Sequence, residues 1–206
     1  APASVNVVTG LQSNDSDAFI SASGEIVFMR DVNQSSSAIW TMSSDGNIQK
    51  FADAAGYYCP TISSDGTKVV TQYYSDHKPR GLYLFTPGTT NPQLLVELTT
   101  SEAGYSVISP DGTKVAYVAD DGNVYTMNTD GNGTPLKLTN WHYGTTREPA
   151  WSSDGTKIAY VLHFSLSVDD KFGVYIMNSD GTQNYLFREV QTNDPSASRF
   201  KYPVLR

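Results

Sequence analysis

Three histidines, His77, His142 and His163, are the side chains best suited to move a proton near neutral pH or to bind a divalent metal. None belongs to an H-x-H or H-x-x-x-H pair, so a centre built from them requires convergence of separate parts of the chain. Paired acids occur at Asp120-Asp121 and Asp169-Asp170, and these are the better metal candidates among the carboxylates. Single acids recur in Asp-Gly pairs at Asp65, Asp111 and Asp154. A calcium loop needs further acids within a few residues, which these three lack; a turn aspartate that accepts backbone hydrogen bonds is the expected role. There is no Gly-x-Ser-x-Gly nucleophile elbow and no glycine loop of the phosphate-cradling kind. Cys59 is the only cysteine, which excludes an internal disulfide framework and a multi-cysteine zinc site and predicts a small buried side chain. No cofactor is expected; a divalent cation is the one candidate.

The chain that carries these residues has 206 of them, 39% hydrophobic and only 17% charged, a composition that folds. Fourteen basic against 21 acidic residues give a net charge of -7 with no Lys/Arg-rich stretch. Phosphate backbones are repelled by such a balance, so nucleic acid is excluded as a partner. No apolar run approaches the roughly 20 residues of a bilayer span, so membrane insertion is not expected. The N-terminus has no basic segment followed by an apolar one, and Ala1-Pro2-Ala3-Ser4 suits a processed end.

The chain repeats itself in two registers. One is Ala18 to Phe28, Pro60 to Val70, Ser106 to Tyr117 and Pro149 to Tyr160, whose turn glycines Gly24, Gly66, Gly112 and Gly155 lie 42, 46 and 43 residues apart. The other is Ile39 to Gly46, Leu82 to Gly88, Val124 to Gly131 and Val174 to Gly181. Each unit supplies four short β-prone runs around two glycine turns, and no amphipathic helical pattern of useful length appears. Four antiparallel strands in about 40 to 45 residues make a β-propeller blade.

Ser109-Pro110-Asp111-Gly112-Thr113-Lys114-Val115-Ala116-Tyr117, followed by Val124 to Gly131, resembles the repeat of TolB-type β-propellers. Pro149 to Tyr160 with Val174 to Gly181 is similar again; the first copy lacks the Asp, and the second has Thr86-Pro87-Gly88 where Asn-x-Asp-Gly is expected. The resemblance covers about residues 17 to 206. It implies an all-β propeller and a secreted or periplasmic protein, and leaves activity open. Family members include a periplasmic protein that binds a lipoprotein, propeller domains of serine peptidases and lyases acting on pectic oligosaccharides. The chain is expected to form a single domain over residues 1–206, with repeats at about 17–58, 59–104, 105–148 and 149–199. Residues 1–16 and 200–206 would contribute to a fifth, closing blade, Val5 to Thr9 and Tyr202 to Leu205 supplying its strands. That blade lacks its middle strands, which points to truncation, to a thin closing blade, or to homo-oligomer formation through the incomplete edge.

Blade geometry sends every Asp-Gly turn to one face. The opposite face collects longer, varied loops containing Tyr57-Tyr58, Tyr73 to Arg80, Glu102 to Tyr105, Trp141 to Glu148 and His163 to Phe172. Tyr57, Tyr58, Tyr105, Trp141, His142, Tyr143, Arg147 and Glu148 are the expected ligand-binding residues, because Tyr and Trp bring contact area at low entropic cost and Arg brings forked donors. Tyr117, Tyr125, Trp151, Tyr160 and Tyr175 sit inside strand patterns and are expected to pack between blades. The reading is a non-catalytic module for a protein or peptide partner. A glycan-binding propeller is the alternative, and a metal-assisted polysaccharide lyase or hydrolase using the histidines is the third.

Overall fold

The computed structural model describes residues 15–21, 23–33, 36–74, 77–100, 105–166 and 169–191. Among them are sixteen β-strands and no helix. The first blade holds β1 (Asp15–Ile20), β2 (Ile26–Asn33), β3 (Ser36–Met42) and β4 (Ile48–Asp53). The second holds β5 (Tyr57–Ile62), β6 (Val69–Tyr73), β7 (Gly81–Phe85) and β8 (Gln93–Glu97). The third holds β9 (Ser106–Ile108), β10 (Lys114–Val118), β11 (Val124–Asn128) and β12 (Leu136–Lys137), and the fourth β13 (Thr145–Trp151), β14 (Lys157–Leu166), β15 (Asp169–Asn178) and β16 (Tyr185–Gln191). Every blade is a four-stranded antiparallel sheet with its strands in chain order, as the repeats predict. The first strands β1, β5, β9 and β13 neighbour one another in succession. The strands of the expected closing blade lie outside the described residues.

The core is divided among the gaps between blades. Side chains alternate across a strand, so Val69 enters the core with Val27, Met29, Ile39 and Phe85, while its neighbour Val70 enters the next one with Ile108, Val115 and Tyr117. A third core joins Ala116 and Val124 to Ile158, Tyr160, Leu162 and Met177. Middle strands are covered on both faces, which is why β6 and β7 are buried at every position.

The Ser-x-Asp-Gly-Thr-Lys repeat is a hydrogen-bonded turn built three times. In the third blade Ser109 Oγ donates to Asp111 Oδ1 at 2.6 Å, and Thr113 N and Oγ1 donate to the same oxygen at 3.0 and 2.9 Å. Lys114 N donates back to Ser109 Oγ at 2.9 Å. The turns at Asp65 and Asp154 repeat this set of bonds. The following glycine takes φ near +70° in all three, a conformation closed to most side chains. In the first blade, where the aspartate is missing, Ser23 Oγ instead donates to Ser64 O of the second blade at 2.6 Å. Lys68 ties the second blade to the third through Gly112 O and Thr129 Oγ1, each at 2.9 Å.

Strand boundaries depart from the sequence reading. Tyr57 and Tyr58 lie on β5, and Arg147 and Glu148 on β13, rather than in connecting loops. Pro60 and Pro149 have no N–H and read as strand starts, but β-bulges carry the ladder past them, with Cys59 and Glu148 in the left-handed region at φ 50° and 51°. Asp17 occupies the equivalent bulge in β1 at φ 50°. Residues 163–166 and 169–172, expected within a loop, continue the hairpin of β14 and β15, with His163 paired to Phe172 and Leu166 to Asp169. Cys59, expected to be buried, is exposed, because its bulge turns it out of the core. Crowding by neighbouring protein and the charge of Asp17 still push its thiol up to about 11, so it is not a thiolate at neutral pH.

Two outcomes follow from the turn. Asp111→Ala removes a carboxylate that organises three donors and is expected to cost about 1 kcal/mol in urea unfolding. The bonds from Ser63, Ser109 and Ser152, with those from the following threonines, lower Asp65 and Asp111 and hold Asp154 at about 2. The folded state therefore favours the charged carboxylates. Their stabilisation is complete above the unfolded value, about 3.9, and is lost as pH falls toward 2. Urea titrations across that window should show the fall, and the Asp65→Asn, Asp111→Asn, Asp154→Asn triple variant should flatten it.

Candidate functional site

The face opposite the Asp-Gly turns is organised by Asn123, which is 2% exposed in the turn just before β11. Its Oδ1 accepts from Trp141 N at 2.7 Å and from Thr139 Oγ1 at 2.9 Å, and its Nδ2 donates to Trp141 O at 3.3 Å. The connection from the third blade to the fourth is thereby pinned on one side. Thr146 pins it on the other, donating from N and Oγ1 to Gly122 O at 2.8 and 2.7 Å.

Trp141 is half-buried inside this arrangement. Its Nε1 donates to Tyr160 Oη at 3.1 Å, and its ring meets Tyr175 and Phe164 edge-on at 5.1 and 5.8 Å. Tyr160 in turn exchanges hydrogen bonds with Asn184 and stacks on Tyr175 at 5.5 Å. Burial pushes the Tyr160 phenol up to about 12, so it remains a neutral donor and acceptor. The indole is a clamp between blades. Beyond it His142 is exposed and Tyr143 is 80% exposed, at the tip of a connection held at both ends.

The other expected residues are distributed unevenly. Tyr57 is not on the surface: it is 3% exposed, with Tyr73, Tyr83 and Phe85 around its ring at 4.8, 5.4 and 4.9 Å. Alternation along β5 turns Tyr57 into the core and its neighbour Tyr58, 50% exposed, out of it. Tyr105 is half-buried just before β9, and Arg147 and Glu148 are half-buried on β13. Of the residues expected inside strands, Tyr117 and Tyr160 are buried, while Tyr125, Trp151 and Tyr175 are half-buried.

The histidines stand in different settings. His77 and His142 are exposed, and His163 stacks flat on Phe172 at 4.4 Å. Among the described residues no group of three or more His, Cys, Asp and Glu side chains is placed to hold a metal ion. Asp120 and Asp121 are both engaged by protein donors. Asp120 accepts from the amides and hydroxyls of Thr99 and Thr100 at 2.7 to 3.2 Å. Asp121 accepts from Lys137 Nζ, Tyr125 Oη and Asn123 N at 2.7 to 3.1 Å. Burial disfavours the charge on each, yet these donors outweigh it and hold both carboxylates below the usual range.

One feature of this region was not expected from the sequence. Phe164, Phe172, Gly173, Tyr175, Leu186 and Glu189 line an open pocket of about 150 Å³ on the fourth blade. Phe172 stands at the end of an expected loop and Tyr175 reads as inter-blade packing, so no motif joins them. The available signal was Gly173, an isolated glycine within a strand pattern, which marks a close approach. A Cβ there would lie 2.8 Å from Tyr175 Cε2 and 3.0 Å from Leu186 Cδ1.

No protein-family model matches the chain, and no curated protein matches it in sequence. Solved structures do. TolB from Acinetobacter baumannii is 19% identical, with a TM-score of 0.67 over 84% of this chain and 43% of that one. A putative TolB from Agrobacterium tumefaciens is 20% identical, with a TM-score of 0.69 over 90% and 69%. An oligogalacturonate lyase from Vibrio parahaemolyticus is 17% identical, with a TM-score of 0.62 over 88% and 55%. This chain thus spans less than half the length of the Acinetobacter protein. At such identities the likeness concerns architecture, and the architecture is that of a TolB-like β-propeller.

Proposed function

We propose that the chain is a non-catalytic recognition module, secreted or periplasmic, that binds a protein or peptide partner on the loop face opposite the Asp-Gly turns. The observation that carries this reading is Tyr143, 80% exposed at the tip of a connection that Trp141 and Thr146 hold in place. An aromatic ring presented on a backbone already fixed loses little freedom when a partner covers it. Exposed His142 beside it adds a polar group. The Asp-Gly face is the poorer surface, since its carboxylates already accept the donors of their own turns.

A phage-displayed peptide library panned on the intact chain tests the reading. Selected peptides are expected to lose about tenfold or more in affinity to the Tyr143→Ala variant, while its urea midpoint stays at the wild-type value. Peptides that bind wild type and variant alike would overturn it. Trp141→Ala is a different experiment: removing the clamp is expected to cost about 3 kcal/mol, read as a lower urea midpoint. Glycan binding is the second reading, favoured by the exposed rings of Tyr58 and Tyr143, which suit the C–H face of a pyranose. Hits on a glycan array that a free monosaccharide competes away, together with a blank peptide selection, would put it first.

A further inference from the structure

The third strand of each blade marks an equivalent place in the outer one. Its aromatic residue, Trp40, Tyr83, Tyr125 or Tyr175, is paired across to Lys50, Leu94, Lys137 or Leu186 of the fourth strand. The fourth-strand residue that follows is Phe51, Leu95, Leu138 or Phe187, apolar in every blade.

In the first three blades this residue is a contact to the next blade. Phe51 is 6% exposed in the core shared with the second blade, and its carbonyl accepts from Gly88 N at 3.1 Å. Leu95 packs on the core shared with the third, and a Cβ on Gly131 would lie 3.7 Å from its Cδ2. Leu138 is 8% exposed in the core shared with the fourth, and a Cβ on Gly181 would lie 3.0 Å from its carbonyl oxygen and 3.4 Å from its Cδ2. Gly88, Gly131 and Gly181 hold the same place in the repeat, the turn between third and fourth strands, with φ of 73°, 75° and 85°. One device thus joins the blades three times: an apolar residue of the outer strand seats on the glycine turn of the following blade. At Gly181 only the missing side chain lets it come so close.

The two halves of this device stand unused at opposite ends of the described blades. Phe187 on the fourth blade is 65% exposed, with Leu186 beside it at 46%. Gly46 on the first blade, at φ 87°, is exposed, and nothing lies within 4 Å of a Cβ built there. Its N–H donates inside its own turn, to Ser43 O at 2.9 Å, rather than to another blade as Gly88 does. That turn, Met42-Ser43-Ser44-Asp45-Gly46, resembles Met177-Asn178-Ser179-Asp180-Gly181, which receives Leu138. One chain does not bring its own two halves together, since both are open at once. A second copy supplies what each end lacks, and it does so with a contact that three junctions of the molecule already use. Such a contact is heterologous, joining different surfaces of the two copies.

We propose that Phe187 of one copy seats on the Gly46 turn of a second copy, so that the chain associates head to tail through the contact that joins its own blades. This assignment does not depend on the recognition reading. Sedimentation equilibrium over a range of concentrations tests it, with Phe187→Glu removing the apolar residue and Gly46→Asn filling the turn with a residue that tolerates positive φ. Both changes are at exposed positions, and both variants are expected to keep the wild-type urea midpoint. The wild-type mass should rise above that of one chain, and each variant should associate about tenfold more weakly or worse. Mixed in equal amounts, the two variants should regain a species of two chains, because Phe187 of the Gly46→Asn chain meets the intact turn of the Phe187→Glu chain. A wild-type mass of one chain at every concentration up to about 1 mM would overturn the proposal. So would wild-type association by Phe187→Glu, or a mixture that stays monomeric. Association lost in Phe187→Glu and kept in Gly46→Asn would show the outer strands meeting one another, and would overturn it equally. If Gly46→Asn lowers the urea midpoint, Ser44→Arg, exposed in the same turn, takes its place.

Discussion

Each four-stranded sheet here has two apolar faces, and a single blade can cover neither. Val69 and Val70 are chain neighbours with side chains in different cores, so the second blade is held from both sides at once. This double burial makes the blades mutually dependent in the way of stacked repeats, where stability resides mainly between units. The polar links follow the same order. Ser23 reaches the second blade at Ser64, and Lys68 reaches the third at Gly112 and Thr129. Both act where successive turns stack: Gly112 has Ser63 beneath it, and a Cβ there would already lie 3.3 Å from the Ser63 Cβ.

Stacking also decides what the two ends of the blades can do. The end that carries the Asp-Gly turns is repetitive because it must be: the same Ser, Asp, Thr and Lys positions close the same turn in three blades and fit against the turn before. The carboxylates there are committed to the donors of their own turns. The other end faces no such demand. Its connections differ in length and residue from blade to blade, and each is secured separately, by Asp120 on Thr99 and Thr100 or by Asn123 on Trp141.

The repeats made the blades legible in the sequence, because turn chemistry and two-residue alternation are local and recur in register. Tyr117 and Tyr160 could be assigned to the core on the same grounds, and both are buried. The site was less legible. Tyr57 and Tyr58 look alike in the sequence, and only the strand phase set by the bulge at Cys59-Pro60 sends one inward and the other outward. A bulge adds a residue to one strand, so it shifts phase without leaving a clear mark on composition. The stretch from 163 to 172 reads as a loop because His, Ser and Asp interrupt the apolar pattern, yet backbone pairing carries the hairpin out to Leu166 and Asp169. The pocket was least accessible of all, since its lining comes from three strands whose registers are tertiary facts.

Trp141 shows why exposure and importance for binding need to be separated on this face. By residue type it is one of the candidates for direct contact, yet its indole N–H is spent on Tyr160 and its ring on Phe164 and Tyr175. What it contributes is position. Gly122 and Asn123 at the β10–β11 turn anchor the chain on either side of Tyr143, and Trp141 seals the gap to the fourth blade below it. The same indole stands beside two rings that line the pocket, so the presented tyrosine and the pocket share one rigid support. A ligand engaging both would bind a surface whose geometry is set by inter-blade packing, and the entropy lost on binding would fall mainly on the ligand.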